Sequence, residues 1–148
     1  MTEPNRRAAI LMADDDPDDR ELTRKALSAA SVDFDFQTVG NGEELLAYLR
    51  HPRRGQASAP RWPDLILLDL NMPVMDGREA LAEIKKDQDL CRIPIIVLTT
   101  SDADADVVHS YELGASSYMT KPETFQELVQ MVKQVERYWF ELVQLPNR

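Results

Sequence analysis

Four apolar runs in this sequence end beside side chains that can do chemistry. AAILMA at 8–13 runs into Asp14 and Asp15, and LILLDL at 65–70 carries Asp69 near its end. IPIIVLT at 93–99 stops on Thr99, and SSYMT at 116–120 is followed by Lys121. If these run ends meet, the carboxylates of Asp14, Asp15 and Asp69 crowd one another. Like charges that close are costly unless they take up a proton or a cation. A hard divalent ion with oxygen ligands, Mg²⁺, relieves the cost, and it typically uses carboxylates together with a substrate phosphate. Lys121 adds a fixed positive charge and Thr99 a hydroxyl. Such a set suits a transferred phosphoryl group, for which catalysis is mostly positioning and charge neutralisation. An aspartate can itself accept that group as an acyl phosphate.

Whether the side chains meet depends on the elements that carry them. The runs at 65–70 and 93–99 are nearly continuous in branched apolar residues, as strands buried on both faces are. With 8–13, 34–39 and 116–120 they predict five strands. Between them lie helical patterns. Residues 17–30 open with Pro17 and acids, and Leu22, Ala26, Leu27 and Ala30 keep a 3.6 period. Leu45, Leu46 and Leu49 mark a second helix, Ala80, Leu81 and Ile84 a third, and Val107, Val108, Tyr111 and Leu113 a fourth that stops at Gly114. The fifth is predicted from Thr124 to about Leu142. Strands alternating with helices predict a three-layer, doubly wound α/β fold around a parallel sheet. In such sheets the site lies beyond the carboxyl ends of the strands, and all five side chains fall there.

Composition excludes other classes. The chain has 148 residues, 17 Lys plus Arg against 26 Asp plus Glu, and a net charge of −9. That charge disfavours nucleic acid and anionic membrane, whose phosphates are bound by clustered cations. The 43% hydrophobic content suits one folded domain over 1–148, with a core at about 8–135. Cys91 is the single cysteine, so no internal disulfide forms and a reducing, cytoplasmic setting is expected. The opening segment does not read as a secretory signal, and no run approaches the roughly 20 apolar residues of a membrane span.

ILMADDDPDD, LILLDLNMPVMDG, IPIIVLTTS and GASSYMTKP, in that order, resemble the successive signatures of the response-regulator receiver domain of two-component signalling. The resemblance spans about 8–135 and implies a five-stranded sheet of order 2-1-3-4-5. It implies Asp69 as phosphoacceptor, Asp15 as a direct Mg²⁺ ligand, Asp14 as a ligand mainly through water, and the Asn71 carbonyl as a further ligand. Thr99 would hydrogen-bond the phosphoryl group and Lys121 would pair with it. Tyr118 occupies the aromatic switch position, and Lys121–Pro122 would be a cis peptide. Pro17-Asp18-Asp19 makes Asp14 and Asp15 the acidic pair and Asp16 a spacer at the helix N-cap. The donor would be a sensor histidine kinase, and phosphorylation would bias the face formed by the fourth helix, fifth strand and fifth helix. Asn71 and Ser101 flank the site and are placed to tune the lifetime of the aspartyl phosphate. The ending RYWFELVQLP further resembles stand-alone receivers that partner phytochrome-type kinases. No output domain is expected in the remaining length.

Other features have plainer readings. Asp102, Asp104 and Asp106 space like the start of a calcium loop, but Val107 and Leu113 stand where Gly and Glu are needed. His51 and His109 lack ligand neighbours, and Gly40-Asn41-Gly42 reads as a turn. The Pro- and Arg-rich stretch at 51–63 reads as a solvated connection. An aspartyl phosphatase of the haloacid-dehalogenase type would want a second Asp two residues after Asp69, where Asn71 stands. A receiver-like module that never takes phosphate is disfavoured by the intact site. On the last helix, Leu128, Val132, Val135, Trp139 and Leu142 form one stripe, and Met131, Tyr138 and Phe140 add apolar surface beside it. The excess over what one sheet face needs predicts a homodimer interface there.

Overall fold

The computed structural model describes residues 8–51 and 62–142, with the Leu142 side chain left aside. Most of the connection at 51–63 and the tail at 143–148 lie outside the described residues, so the solvated-loop reading is not addressed. The strands are β1 (Ala8–Ala13), β2 (Phe34–Val39), β3 (Leu65–Leu68), β4 (Ile95–Thr99) and β5 (Ser117–Thr120). The helices are α1 (Pro17–Ala29), α2 (Gly42–Leu49), α3 (Gly77–Lys86), α4 (Asp104–Glu112) and α5 (Phe125–Arg137). A short 3₁₀ turn, Leu90–Arg92, precedes β4, and a π-helical turn, Tyr138–Leu142, follows α5. All pairings are parallel and the sheet order is β2-β1-β3-β4-β5.

The period-2 rule of strands sorts the core into two layers. Ile10, Met12, Leu65, Leu67, Ile96 and Leu98 face α1 and α5, where Ala26, Leu27, Met131, Val132 and Val135 meet them. Their chain neighbours Leu11, Ala13, Ile66, Leu68, Ile95 and Val97 face the other way, onto Leu45, Leu46, Leu49, Ala80, Leu81 and Ile84 of α2 and α3. The unbroken apolar runs are thus two alternating sets, each with its own helical layer.

Local signals set the helix starts. Asp16 caps α1 by accepting from Asp18 N at 2.9 Å, with Pro17 in the first turn. Asn41, Asp76 and Thr124 cap α2, α3 and α5 in the same way, and Asp76 with Glu79 forms a capping box. α4 differs: its N-cap is Ala103, which makes no side-chain cap bond.

Two expectations are corrected. Among the described residues no peptide bond is cis, so Lys121–Pro122 is trans. Trans is the lower-energy form of X–Pro by about 0.5–1 kcal/mol. The fifth helix is α-helical only to Arg137, and the chain then widens into the π turn. An α-helix turns neighbouring residues 100° apart; the wider turn lets Trp139 and Phe140 both lie against the α1/α5 core layer. The Phe140 ring packs on Phe34 of β2, with centroids 5.1 Å apart.

Candidate functional site

The five residues singled out in the sequence converge at one edge of the sheet. Backbone bonds weld three of them to it one step beyond the strands. Asp14 N donates to Val39 O (3.1 Å), Asp69 N to Ala13 O (3.0 Å), and Lys121 N to Thr99 O (2.7 Å). Gly77 completes the support: a Cβ there would collide with the Asp69 carbonyl oxygen, so only glycine lets α3 start this close.

Lys121 is the hub. Its Nζ lies 2.8 Å from Asp14 Oδ2, 2.7 Å from Asp19 Oδ2 and 3.1 Å from Asp69 Oδ2. The Asp19 and Asp69 contacts are aligned hydrogen bonds. The Asp14 contact is an ion pair without a well-aligned donor, and Asp14 Oδ2 has no other partner. Burial alone would lower the lysine's pKa, but the carboxylates of Asp14, Asp19 and Asp69 outweigh it and raise the value. Asp14 is fully buried, and that burial raises its carboxyl above the ordinary value despite Lys121 and the Asp16 amide, which donates at 2.9 Å.

Asp69 is 6% exposed, and its second oxygen accepts from Asn71 N at 3.2 Å. Thr99 is buried, and its hydroxyl has no hydrogen-bond partner. A buried hydroxyl with no protein partner carries a desolvation cost that a bound acceptor would offset. Asp15 is exposed at the rim. One oxygen each from Asp14, Asp15 and Asp69 lie within 4.8 Å of one another. Two trans ligands of an octahedral Mg²⁺ are about 4.2 Å apart, so the set fits a small divalent ion with a modest inward shift.

Two participants escaped the sequence reading. Asp19 was placed only in the first turn of α1, yet it shares Lys121. Arg20 Nη1 donates to the Asp14 carbonyl at 2.6 Å and fixes the β1–α1 turn. Tyr118 packs partly into the α2/α3 layer and its hydroxyl donates to Ser101 O at 2.7 Å. Met131 is corrected as an interface residue. It is buried in its own core beside Val132 and Val135, because the α-helical part of α5 turns it onto the sheet. Trp139 and Phe140 are half-buried on the same layer, whereas Tyr138 is 52% exposed. Asp106 serves no calcium loop; it binds Arg78 and Ser101.

A five-stranded 2-1-3-4-5 sheet with acids, a hydroxyl and a lysine at its carboxyl edge defines the receiver class of signalling protein. The family model for the response regulator receiver domain matches residues 10–133, and the chain belongs to that family. It is 41% identical over 144 residues to response regulator Rcp1 of Synechocystis sp. (strain ATCC 27184 / PCC 6803 / Kazusa), which covers 97% of both proteins. Among solved structures it resembles the phosphorylated cyanobacterial phytochrome response regulator RcpA, with a TM-score of 0.85 and 42% identity, covering 96% of this chain and 100% of that one. It also resembles the Mn²⁺-bound form of Rcp1, with a TM-score of 0.80 and 42% identity, covering 95% and 99%. No helix among the described residues is long and apolar enough to cross a membrane.

Proposed function

We propose that the chain is a phosphorylation switch in which Asp69 accepts a phosphoryl group from the phosphohistidine of a sensor histidine kinase. A carboxylate oxygen of Asp69 bonds to phosphorus as the P–N bond to the imidazole breaks, and the imidazole leaves with that electron pair. Lys121, already 3.1 Å from Asp69, follows the new charge onto a phosphoryl oxygen. The Thr99 hydroxyl donates to another. Asp14, Asp15 and Asp69, with the Asn71 carbonyl, would hold Mg²⁺, which when bound neutralises charge on the phosphoryl oxygens. Asn71 and Ser101 flank the group and set how readily water reaches it.

The observation that carries this reading is the convergence of Asp14, Asp69 and Lys121 beside a buried, unpartnered Thr99 hydroxyl. The similarity to a phytochrome response regulator supports a phytochrome-type kinase as donor. The net charge of −9 supports a protein partner over nucleic acid or membrane. The 148 residues are read as one receiver unit with a C-terminal extension. Exposed Tyr138, beside half-buried Trp139 and Phe140, supports a homodimer through the C-terminal end of the chain.

The test is incubation with Mg²⁺ and acetyl phosphate followed by intact mass. One hydroxylamine-labile phosphoryl addition is expected, and Asp69→Asn abolishes it. Modification that persists in Asp69→Asn overturns the assignment.

A further inference from the structure

The loop between β4 and α4 is tied down by Arg78 and Asp106, two residues that the phosphoryl site does not itself use. Asp106 stands at the third position of α4, where an acid usually serves the helix start. Here it turns outward instead, and α4 is left with an alanine N-cap. Its Oδ1 accepts from Arg78 Nη2 of α3 at 2.8 Å, and its Oδ2 accepts from Ser101 Oγ at 2.6 Å. Arg78 also lies 4.0 Å from Asp76, the cap of α3. Ser101 O accepts the Tyr118 hydroxyl at 2.7 Å, and Ser101 Oγ accepts from Ala103 N at 3.4 Å. Ser101 is thereby held from α3, α4 and β5 at once.

The rest of α4 is loosely seated. Ser110 is its one buried residue, while Val108 and Tyr111 are largely exposed. Thr99, whose hydroxyl is buried without a partner, lies only two residues before Ser101. Only Thr100 separates the two, a reach of at most about 7 Å, so a backbone shift of Thr99 toward Asp69 bears directly on Ser101.

We propose that Arg78 is a positioning residue of the switch: through Asp106 it fixes Ser101, and through the Ser101 carbonyl it holds the Tyr118 ring inward and Thr99 in readiness. This rests on the reading of Asp69 as phosphoacceptor. The Ser101–Asp106 bond is short and charge-assisted, and both oxygens of Asp106 are engaged. Hydrogen bonds from Ser101 first, and from Arg78 second, hold the Asp106 carboxyl below its ordinary pKa. The network therefore stays charged at neutral pH. An ion pair this accessible shifts a two-state equilibrium by about fivefold.

The experiment incorporates 3-fluorotyrosine and assigns the Tyr118 signal with Tyr118→Phe. In the absence of any phosphoryl donor, Arg78→Ala is expected to move the inward-to-outward balance of Tyr118 about fivefold toward outward. Labelling of Asp69 by acetyl phosphate should slow by a similar factor while its stoichiometry stays at one. Arg78→Lys should recover part of both, and Arg78→Ala with Asp106→Asn should be no worse than either alone. An unchanged Tyr118 signal in Arg78→Ala, or additive effects in the double variant, overturns the proposal. Because the fluorine signal is read without phosphoryl donor, that failure is distinct from loss of site-specific labelling in the wild type, which would overturn the Asp69 assignment instead.

Discussion

Lys121 has to serve two masters at the residue scale. It neutralises Asp14, Asp19 and Asp69, and in the proposed phosphotransfer it would also have to pair with the phosphoryl group. Its folded-state pKa is raised, so its stabilisation is complete below the unfolded value of 10.5 and is lost only as pH rises through the higher folded value. Breaking a buried pair by deleting one partner costs about 3–5 kcal/mol. The Asp19 end is a third exposed, so Lys121→Gln is expected to cost about 2–3 kcal/mol by urea unfolding at pH 7. The deficit should hold to pH 10 and narrow when Mg²⁺ is added, because the ion then supplies the missing charge. A variant as stable as wild type at pH 7, or a deficit that widens with Mg²⁺, would refute this picture. Asp69, Thr99 and Lys121 were legible in the sequence because each ends an apolar run. Asp19 was not, because a helix residue's partner across the sheet edge leaves no mark on local periodicity.

The end of α5 is the element whose form departs most from the sequence pattern. The spacing of Leu128, Val132, Val135, Trp139 and Leu142 continues an α-helix to about Leu142, but the chain adopts a π turn over Tyr138–Leu142. What periodicity cannot show is Phe34 at the start of β2, far away in sequence, which offers a ring to Phe140. The two rings are tilted by 51°, and aromatic pairs contribute about 0.5–1.5 kcal/mol beyond burial, enough to favour one turn geometry over another. Phe140→Ala is therefore expected to lower stability by about 1–2 kcal/mol. It should also red-shift Trp139 emission and speed amide exchange at 138–142, while α5 before Arg137 stays protected. Unchanged exchange at 138–142 would show that the Phe34 contact does not hold the turn. The strands were easier to read: their ends moved by two residues at most, because continuous branched runs have few alternatives to a buried parallel sheet.

For the whole molecule, the proposed homodimer turns on the residues that follow α5. Met131, Trp139 and Phe140 are wholly or partly used within the chain, which leaves Tyr138 as the main exposed aromatic of the tail. A chain ending at Arg137 should run as a smaller particle in light scattering, with the smaller mass of a monomer. A truncated chain that keeps the mass of wild type would reject the tail as the interface. By itself the sequence determined the fold class, the strand order through its family signatures, and the side chains gathered at the carboxyl edge. Those depend on local patterns: runs that must be buried, caps that start helices, polar residues at run ends. Only the tertiary structure decided that Lys121 holds three acids, that the Lys121–Pro122 bond is trans, that Arg78 and Asp106 tether Ser101, and that Met131 is core. Each of these is a contact between residues distant in the chain or a choice between conformers close in energy, and packing settles both after the local pattern has been satisfied.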